Sequence, residues 1–216
     1  MTPTEVRTAV FGERIGLAES YAELLSGTAV EWGLIGPHEV GRLWERHLVN
    51  CAVVSELIPE GASVIDVGSG AGLPGVVLAI VRPDLRITLV EPLLRRSNFL
   101  SDTVGQLGLD VRVVRGRAED RAVVTEIGGA DIVTARAVAP LSKLMVWCLP
   151  LAVVGGAVLA LKGESASEEL DRDRTAVVHA GGGELAVVEC GVGVVDVPTR
   201  VVKAVRQAPR RRKGRS

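Results

Sequence analysis

Aromatic side chains are scarce in this chain of 216 residues, with two Phe, three Trp and one Tyr making up 3% of it. Stacking platforms of the kind that hold single-stranded nucleic acids need several of them, so a polymeric partner would be met mainly through shape and charge. Cysteine is sparse and odd in number, and Cys51, Cys148 and Cys190 lie far apart. That pattern excludes a disulfide framework and a clustered zinc site and fits reduced thiols in a cytosol. No run of about 18 uncharged apolar residues is present to span a bilayer. The opening MTPTEVRTAVFGERIG mixes acids among its apolar residues and does not read as a signal peptide. The expectation is a cytoplasmic protein that holds no metal and meets no membrane.

Hydrophobic residues make up 47% of the chain and charged residues 24%, a globular composition, and the length fits one α/β domain with an appendage. Formal net charge is −1, but Arg210, Arg211, Arg212, Lys213 and Arg215 crowd into the last ten residues without an acid, which leaves the preceding 206 residues at −6. An acidic globule with a basic tail suggests a polyanionic partner met through the tail, and a solvated terminus that binds nothing is the competing reading.

The stretch around which the chain is organised is VIDVGSGAGLPG, Val64 to Gly75. Val64, Ile65 and Val67 read as a strand covered on both faces, and Gly68, Gly70 and Gly72 permit positive φ and close approach of a ligand to bare backbone. Pro74 suits the first turn of a helix over Gly75 to Val81. Downstream, strands are expected at Arg86–Glu91, Val111–Arg115, Asp131–Ala135 and Ala157–Leu161, with helices at Leu93–Leu107, Arg121–Ile127, Pro140–Leu151 and Glu164–Ala180. Strands at Glu184–Val194 and Val201–Arg206 would give the sheet an antiparallel finish. This alternation predicts a doubly wound, mostly parallel sheet. Thr4 to Leu57 reads as helical, and one stripe after Gly36-Pro37 carries Trp44, His47, Leu48 and Cys51. The resulting division is a helical extension over 1–60, a ligand-binding α/β domain over 61–206 and a basic tail over 207–216.

In such a sheet, ligands gather beyond the carboxyl ends of the strands. Asp66 to Gly72, Glu91, Ala118-Glu119 and Arg136 all fall on that rim. Gly70, Gly72 and Gly75 satisfy the dinucleotide pattern G-x-G-x-x-G, with Glu91 as an acidic ribose partner. Asp66 shifts the balance, because a carboxylate two residues before the turn repels a pyrophosphate and tolerates the cationic sulfonium and ammonium of S-adenosylmethionine. Glu119 could accept from an adenine amino group beside the small Ala118, or could merely favour a helix amino terminus.

DVGSGAGLPGVVLAI (Asp66 to Ile80), EPLLRRSNFL (Glu91 to Leu100), GRAED (Gly116 to Asp120), ARAVAPL (Ala135 to Leu141) and LALKG (Leu159 to Gly163), together with LWERH (Leu43 to His47), resemble the ribosomal small-subunit methyltransferase G family, also called glucose-inhibited division protein B. The resemblance runs from the N-terminal helices to about Arg206. It implies a class I, Rossmann-like methyltransferase with a seven-stranded sheet. The implied reaction is N7-methylation of a guanine in the 530-loop region of 16S ribosomal RNA, with S-adenosylmethionine as donor and the RNA or the 30S subunit as partner. By position, its cofactor contacts fall on Gly68, Leu73, Ala118, Glu119 and Arg136, to which the residue reading adds Asp66, Gly70 and Glu91. Asn50-Cys51 departs from the acid and serine that many members carry there.

Guanine N7 has an exposed lone pair and loses no proton on attack, so no catalytic residue is named. The place after the fourth strand reads ARAVAP, without the Asn/Asp-Pro-Pro-aromatic loop that serves exocyclic amines. Cys148, in an apolar run, reads as a buried structural thiol. Arg46, His47, Arg136 and the tail residues Arg210, Arg211, Arg212 and Lys213 are the candidates for RNA contact, and a monomer is expected. Two rival readings are an NAD(P)-dependent oxidoreductase using the same turn and a non-catalytic RNA-binding protein. The sole tyrosine, Tyr21, lies in an N-terminal helix, and no Tyr-x-x-x-Lys is present for hydride transfer.

Overall fold

The computed structural model describes residues 2–208. The basic residues Arg210, Arg211, Arg212 and Lys213 therefore lie outside the described part. The sheet has seven strands in the order β3-β2-β1-β4-β5-β7-β6. They are β1 Ser63–Val67, β2 Arg86–Val90, β3 Val111–Val114, β4 Ala130–Arg136, β5 Ala152–Lys162, β6 Gly182–Cys190 and β7 Thr199–Arg206. β1 to β5 run parallel, and β7 enters antiparallel between β5 and β6. The order of winding reverses between β1 and β4, which opens the crevice at their carboxyl ends.

Alternation along the strands sorts the core into two layers. Val64, Ile87, Leu89, Ile132 and Leu159 face one cluster, while Ile65, Val67, Val90, Val133 and Val158 face the other. The first face is covered by α5 (Gly75–Val81), α6 (Leu94–Gln106) and the N-terminal helices, the second by α7 (Arg121–Ile127), α8 (Leu141–Cys148) and α9 (Ala166–His179). Each fully buried Leu or Val side chain contributes about 1.5–3 kcal/mol relative to exposure.

The N-terminal helices are α1 (Pro3–Phe11), α2 (Ile15–Ser26) and the short α3 (Thr28–Glu31). Thr2 and Glu5 form a capping box at the start of α1, with Pro3 inside its first turn. Phe11, Ala18, Tyr21 and Leu25 then bury their side chains in the first cluster.

The single helix expected after Gly36-Pro37 is instead a series: a 3₁₀ segment Pro37–Arg42, a π-helical segment Leu43–Val49, α4 (Asn50–Ala52) and a second 3₁₀ segment Val53–Leu57. Leu43 and Leu48, five residues apart, are both buried, a spacing that suits i→i+5 winding. The side-chain amide of Asn50 donates to the Arg46 carbonyl within this region.

Three strands differ from expectation by two residues or more at an end. β5 starts at Ala152, five residues early, because Gly155 at φ +87° and Gly156, where a Cβ would stand 2.8 Å from the Asp131 carbonyl oxygen, accommodate an irregularity in its pairing with β4. β6 stops at Cys190, since Gly191 and Gly193, both at φ +79°, turn the chain and the amides of Val194 and Val195 bond back to the Gly191 carbonyl. β7 begins at Thr199, two residues early, where Thr199 pairs with Cys190.

Candidate cofactor and RNA site

The carboxyl ends of β1, β2 and β3 are knitted together by backbone. Gly68 and Ser69 donate to the Val90 carbonyl at 2.8 and 3.2 Å, Glu91 donates to Val114 at 3.1 Å, and Gly116 donates to Glu91 at 3.3 Å. Gly68 and Gly70 have φ of +66° and +59°, the left-handed region that glycine adopts without penalty. A Cβ on Gly70 would meet only the Gly68 carbonyl oxygen, at 3.8 Å, so the turn is open on that side. Gly72 and Gly75 serve packing instead. A Cβ on Gly72 would lie 2.7 Å from the Tyr21 hydroxyl, and one on Gly75 would strike Leu89 and stand 2.9 Å from Asp66 Oδ2. Leu73 is buried beneath the turn.

Asp66 is fully buried, on the α5 side of β1. Its Oδ1 accepts from Thr134 Oγ1 at 2.8 Å and its Oδ2 from the Gly75 amide at 3.2 Å. Burial pushes its titration up to about 6, against the pull of hydrogen bonds from Thr134, Ser69 and Gly75 and of the Arg136 charge. The carboxylate thus ties the start of α5 to β4 from below. Glu91 is also buried, and its two oxygens accept from the Gly70 amide and the Leu93 amide, each at 3.0 Å. A carboxylate can accept about four hydrogen bonds, so each Glu91 oxygen keeps further capacity toward the rim. Ala118 is buried in the second core cluster, and Glu119 lies 3.8 Å from Arg117 in an exposed ion pair.

Arg136 ends β4. Its Nη1 lies 2.9 Å from His47 Nδ1, and His47 Nε2 lies 2.8 Å from Glu39 Oε2. His47, read from sequence as an RNA contact, therefore has both ring nitrogens engaged within the protein. Arg46, on the same π-helical segment, is half-exposed and 3.7 Å from Glu39. It lines a cleft of about 650 Å³ together with Arg7, Arg42, Val49, Asn50, Glu164 and Val195 to Val197. Arg7 lies over the Trp44 ring, 4.5 Å from its centroid, and pairs with Glu45 at 3.0 Å. The loop after β4 bends over the turn. Ala137 adopts φ +54°, the Val138 methyls lie against Gly68, and Lys162, paired with Glu169 at 3.0 Å, donates to the Ala139 carbonyl.

The rim thus gathers Gly68, Gly70, Leu73, Glu91, Ala118, Glu119 and Arg136, with Asp66 and His47 one layer behind. Tyr21, Glu39 and Thr134 lie outside every motif of the sequence, while Val138 and Lys162 fall inside two of them without a role of their own being legible there. Tyr21 is fully buried and donates to the Ala71 carbonyl at 2.6 Å, so an N-terminal helix pins the glycine turn. The only signal for it in sequence is a lone tyrosine among the apolar positions of an amphipathic helix.

The cysteines are all buried. Burial pushes the Cys51 thiol up to about 11 and the Cys190 thiol up to about 12, and burial and Asp66 both raise Cys148, so none is a poised nucleophile. Among the described residues no group of three or more His, Cys, Asp or Glu could hold a metal ion, and no helix is long and apolar enough to cross a membrane.

This sheet order, with its antiparallel β7 and a glycine turn at the winding switch, defines a class I, Rossmann-like S-adenosylmethionine-dependent methyltransferase fold. Aeropyrum pernix fibrillarin, solved with natively bound S-adenosyl-L-methionine, superimposes with a TM-score of 0.56 at 21% identity over 74% of this chain and 75% of that one. A putative S-adenosyl-L-methionine-dependent methyltransferase of Methanococcus maripaludis gives 0.60 at 11% identity over 90% and 94%. Within that class, residues 14–196 match the model of the rRNA small subunit methyltransferase G family, and the chain belongs to it. It is 65% identical over 206 residues to the ribosomal RNA small subunit methyltransferase G of Rhodococcus jostii, covering 95% of this chain and 90% of that one. It is 52% identical to the Mycolicibacterium smegmatis protein of the same name, over 94% and 87%.

Proposed function

We propose that this protein transfers a methyl group from S-adenosylmethionine to N7 of a guanine in the 530-loop region of 16S ribosomal RNA, acting as a metal-free monomer in the cytoplasm on the RNA or the 30S subunit. Family membership supports the reaction. The observation that carries the choice of cofactor is the Asp66–Gly75 contact. A dinucleotide pyrophosphate needs free amides at the start of the helix after the turn. Here Pro74 has no N–H, the Gly75 amide is held by Asp66, and the Val76 amide bonds to the Gly72 carbonyl at 2.8 Å.

The residues fit the proposed cofactor. Gly68 and Gly70 offer bare backbone, Glu91 offers carboxylate oxygens for ribose hydroxyls, Ala118 and Glu119 an edge for adenine, and Leu73 an apolar floor. When bound, S-adenosylmethionine supplies an electrophilic methyl on a cationic sulfonium. Guanine N7 brings its own lone pair, so the side chains here orient and exclude water and do not move protons. Arg136 stands where an RNA phosphate or base would arrive, and Arg7, Arg42 and Arg46 along the cleft offer further cations to the same polyanion. The basic tail adds charge for the same partner.

A thermal-shift titration of the purified chain with S-adenosylhomocysteine and, in parallel, NAD tests the cofactor. A ligand at a hundred times its dissociation constant adds about 2.7 kcal/mol to stability. Stabilisation by S-adenosylhomocysteine alone is expected; stabilisation by NAD alone would transfer the turn to oxidoreductase chemistry.

A further inference from the structure

An arginine at a strand end is a long side chain with many rotamers, and it donates along a defined direction only when something holds it. Arg136 is held by His47. A guanidinium has donors and no acceptor, so the 2.9 Å contact requires an unprotonated Nδ1, and the remaining ring proton sits on Nε2, donating to Glu39 at 2.8 Å. Burial and the Arg136 charge push the imidazole below its usual titration range, while Glu39 pulls the other way. The ring is largely buried, its side chain 12% exposed, and its segment presents Glu45, Arg46 and Val49 to the cleft. One short π-helical stretch therefore has residues on the cleft and a side chain on the arginine that ends β4.

We propose that His47 is a positioning residue for methyl transfer, holding the Arg136 guanidinium at the cofactor rim through an Nδ1 acceptor whose tautomer Glu39 sets. This rests on the reading that Arg136 belongs to the S-adenosylmethionine site. Neither His47 nor Glu39 touches the reacting atoms; both act through Arg136.

Two substitutions separate the ring nitrogens. His47→Asn places a carboxamide oxygen near the Nδ1 position, and His47→Gln places an amide nitrogen near Nε2. Affinity of the full chain for S-adenosylhomocysteine, measured by calorimetry, should fall about tenfold in His47→Gln, the size of one charge-assisted hydrogen bond. His47→Asn should stay within about threefold of the parent, since it restores that acceptor. In an Arg136→Ala background, His47→Gln should have no further effect. Glu39→Ala, at a partly exposed position outside the core, should weaken binding in the parent and not in the Arg136→Ala background, which keeps the test intact should His47→Gln fold poorly. His47→Gln binding like the parent, or Glu39→Ala doing so, overturns the proposal, as does an equal loss with and without Arg136. A parent chain that binds no S-adenosylhomocysteine would overturn the cofactor reading itself and this inference with it.

Discussion

Asp66 carries its negative charge at a cost in this fold. With titration raised from the usual 3.8 to about 6 by burial, the folded state binds a proton between those values that the unfolded chain does not. The group therefore favours folding in acid, and that advantage is lost as pH rises through about 6, a difference on the order of 2–3 kcal/mol. His47 acts in the opposite sense: its folded titration is depressed, so its contribution falls as pH drops below the usual 6.5. Asp66→Asn isolates the aspartate. The amide oxygen can accept from Gly75 and its nitrogen can donate to Thr134 Oγ1, so the variant should fold. Urea unfolding at pH 4.5 and pH 7.5 should show the parent losing stability relative to the variant as pH rises; a constant difference would remove the strained carboxylate from the account. The residues legible in sequence were those whose meaning is local: three glycines in five positions, an acid at each of two strand ends. Tyr21, Thr134 and Glu39 were not, because their partners lie 50, 68 and 8 residues away and only the fold brings them into contact.

The turn and α5 divide their glycines between two tasks, and substitution should separate them. Gly75→Ala drives a methyl into Leu89 and toward Asp66, an overpacking that should cost about 1–3 kcal/mol of stability. Gly70→Ala faces open space, where the left-handed conformation costs about 1–2 kcal/mol. Its methyl would stand on the open side of the turn, where the proposed cofactor would lie. Both variants should melt at a lower temperature than the parent, and Gly70→Ala alone should in addition bind S-adenosylhomocysteine at least about tenfold more weakly, equivalent to one hydrogen bond or more. Equal behaviour of the two on both measurements would contradict this division. β1 to β4 were legible within about a residue because runs of Val and Ile between turn residues leave little choice. β5 and β6 were misjudged where glycine pairs punctuate without ending a strand, or end one inside an apolar run. The π-helical segment escaped notice because Trp44, His47 and Cys51 recur at three and four residues, which an α-helix explains equally well.

Across the whole molecule, the division at residue 60 is one of sequence and not of packing. Phe11, Tyr21, Leu25 and Leu48 share a continuous cluster with Val64, Leu89 and Leu159 of the sheet, so the extension should unfold with the domain. Trp32 and Trp44 report on the extension and Trp147 on α8. In Trp147→Phe, urea transitions followed by fluorescence and by far-ultraviolet circular dichroism should coincide. An earlier fluorescence transition would mean that the helices detach first.

The direction of β7 sets the reach of the molecule. Thr199 begins it near the rim, its hydroxyl bonded to the Asn50 carbonyl, and Arg206 ends it against the carbonyls of Pro150 and Ala152 at the start of β5. Gln207 thus leaves from the edge opposite the glycine turn, its amide bonded to the Gly181 carbonyl. β7 rises about 27 Å over its eight residues, so a single strand carries the chain from the rim, where Asn50 anchors it, to the far edge of the sheet.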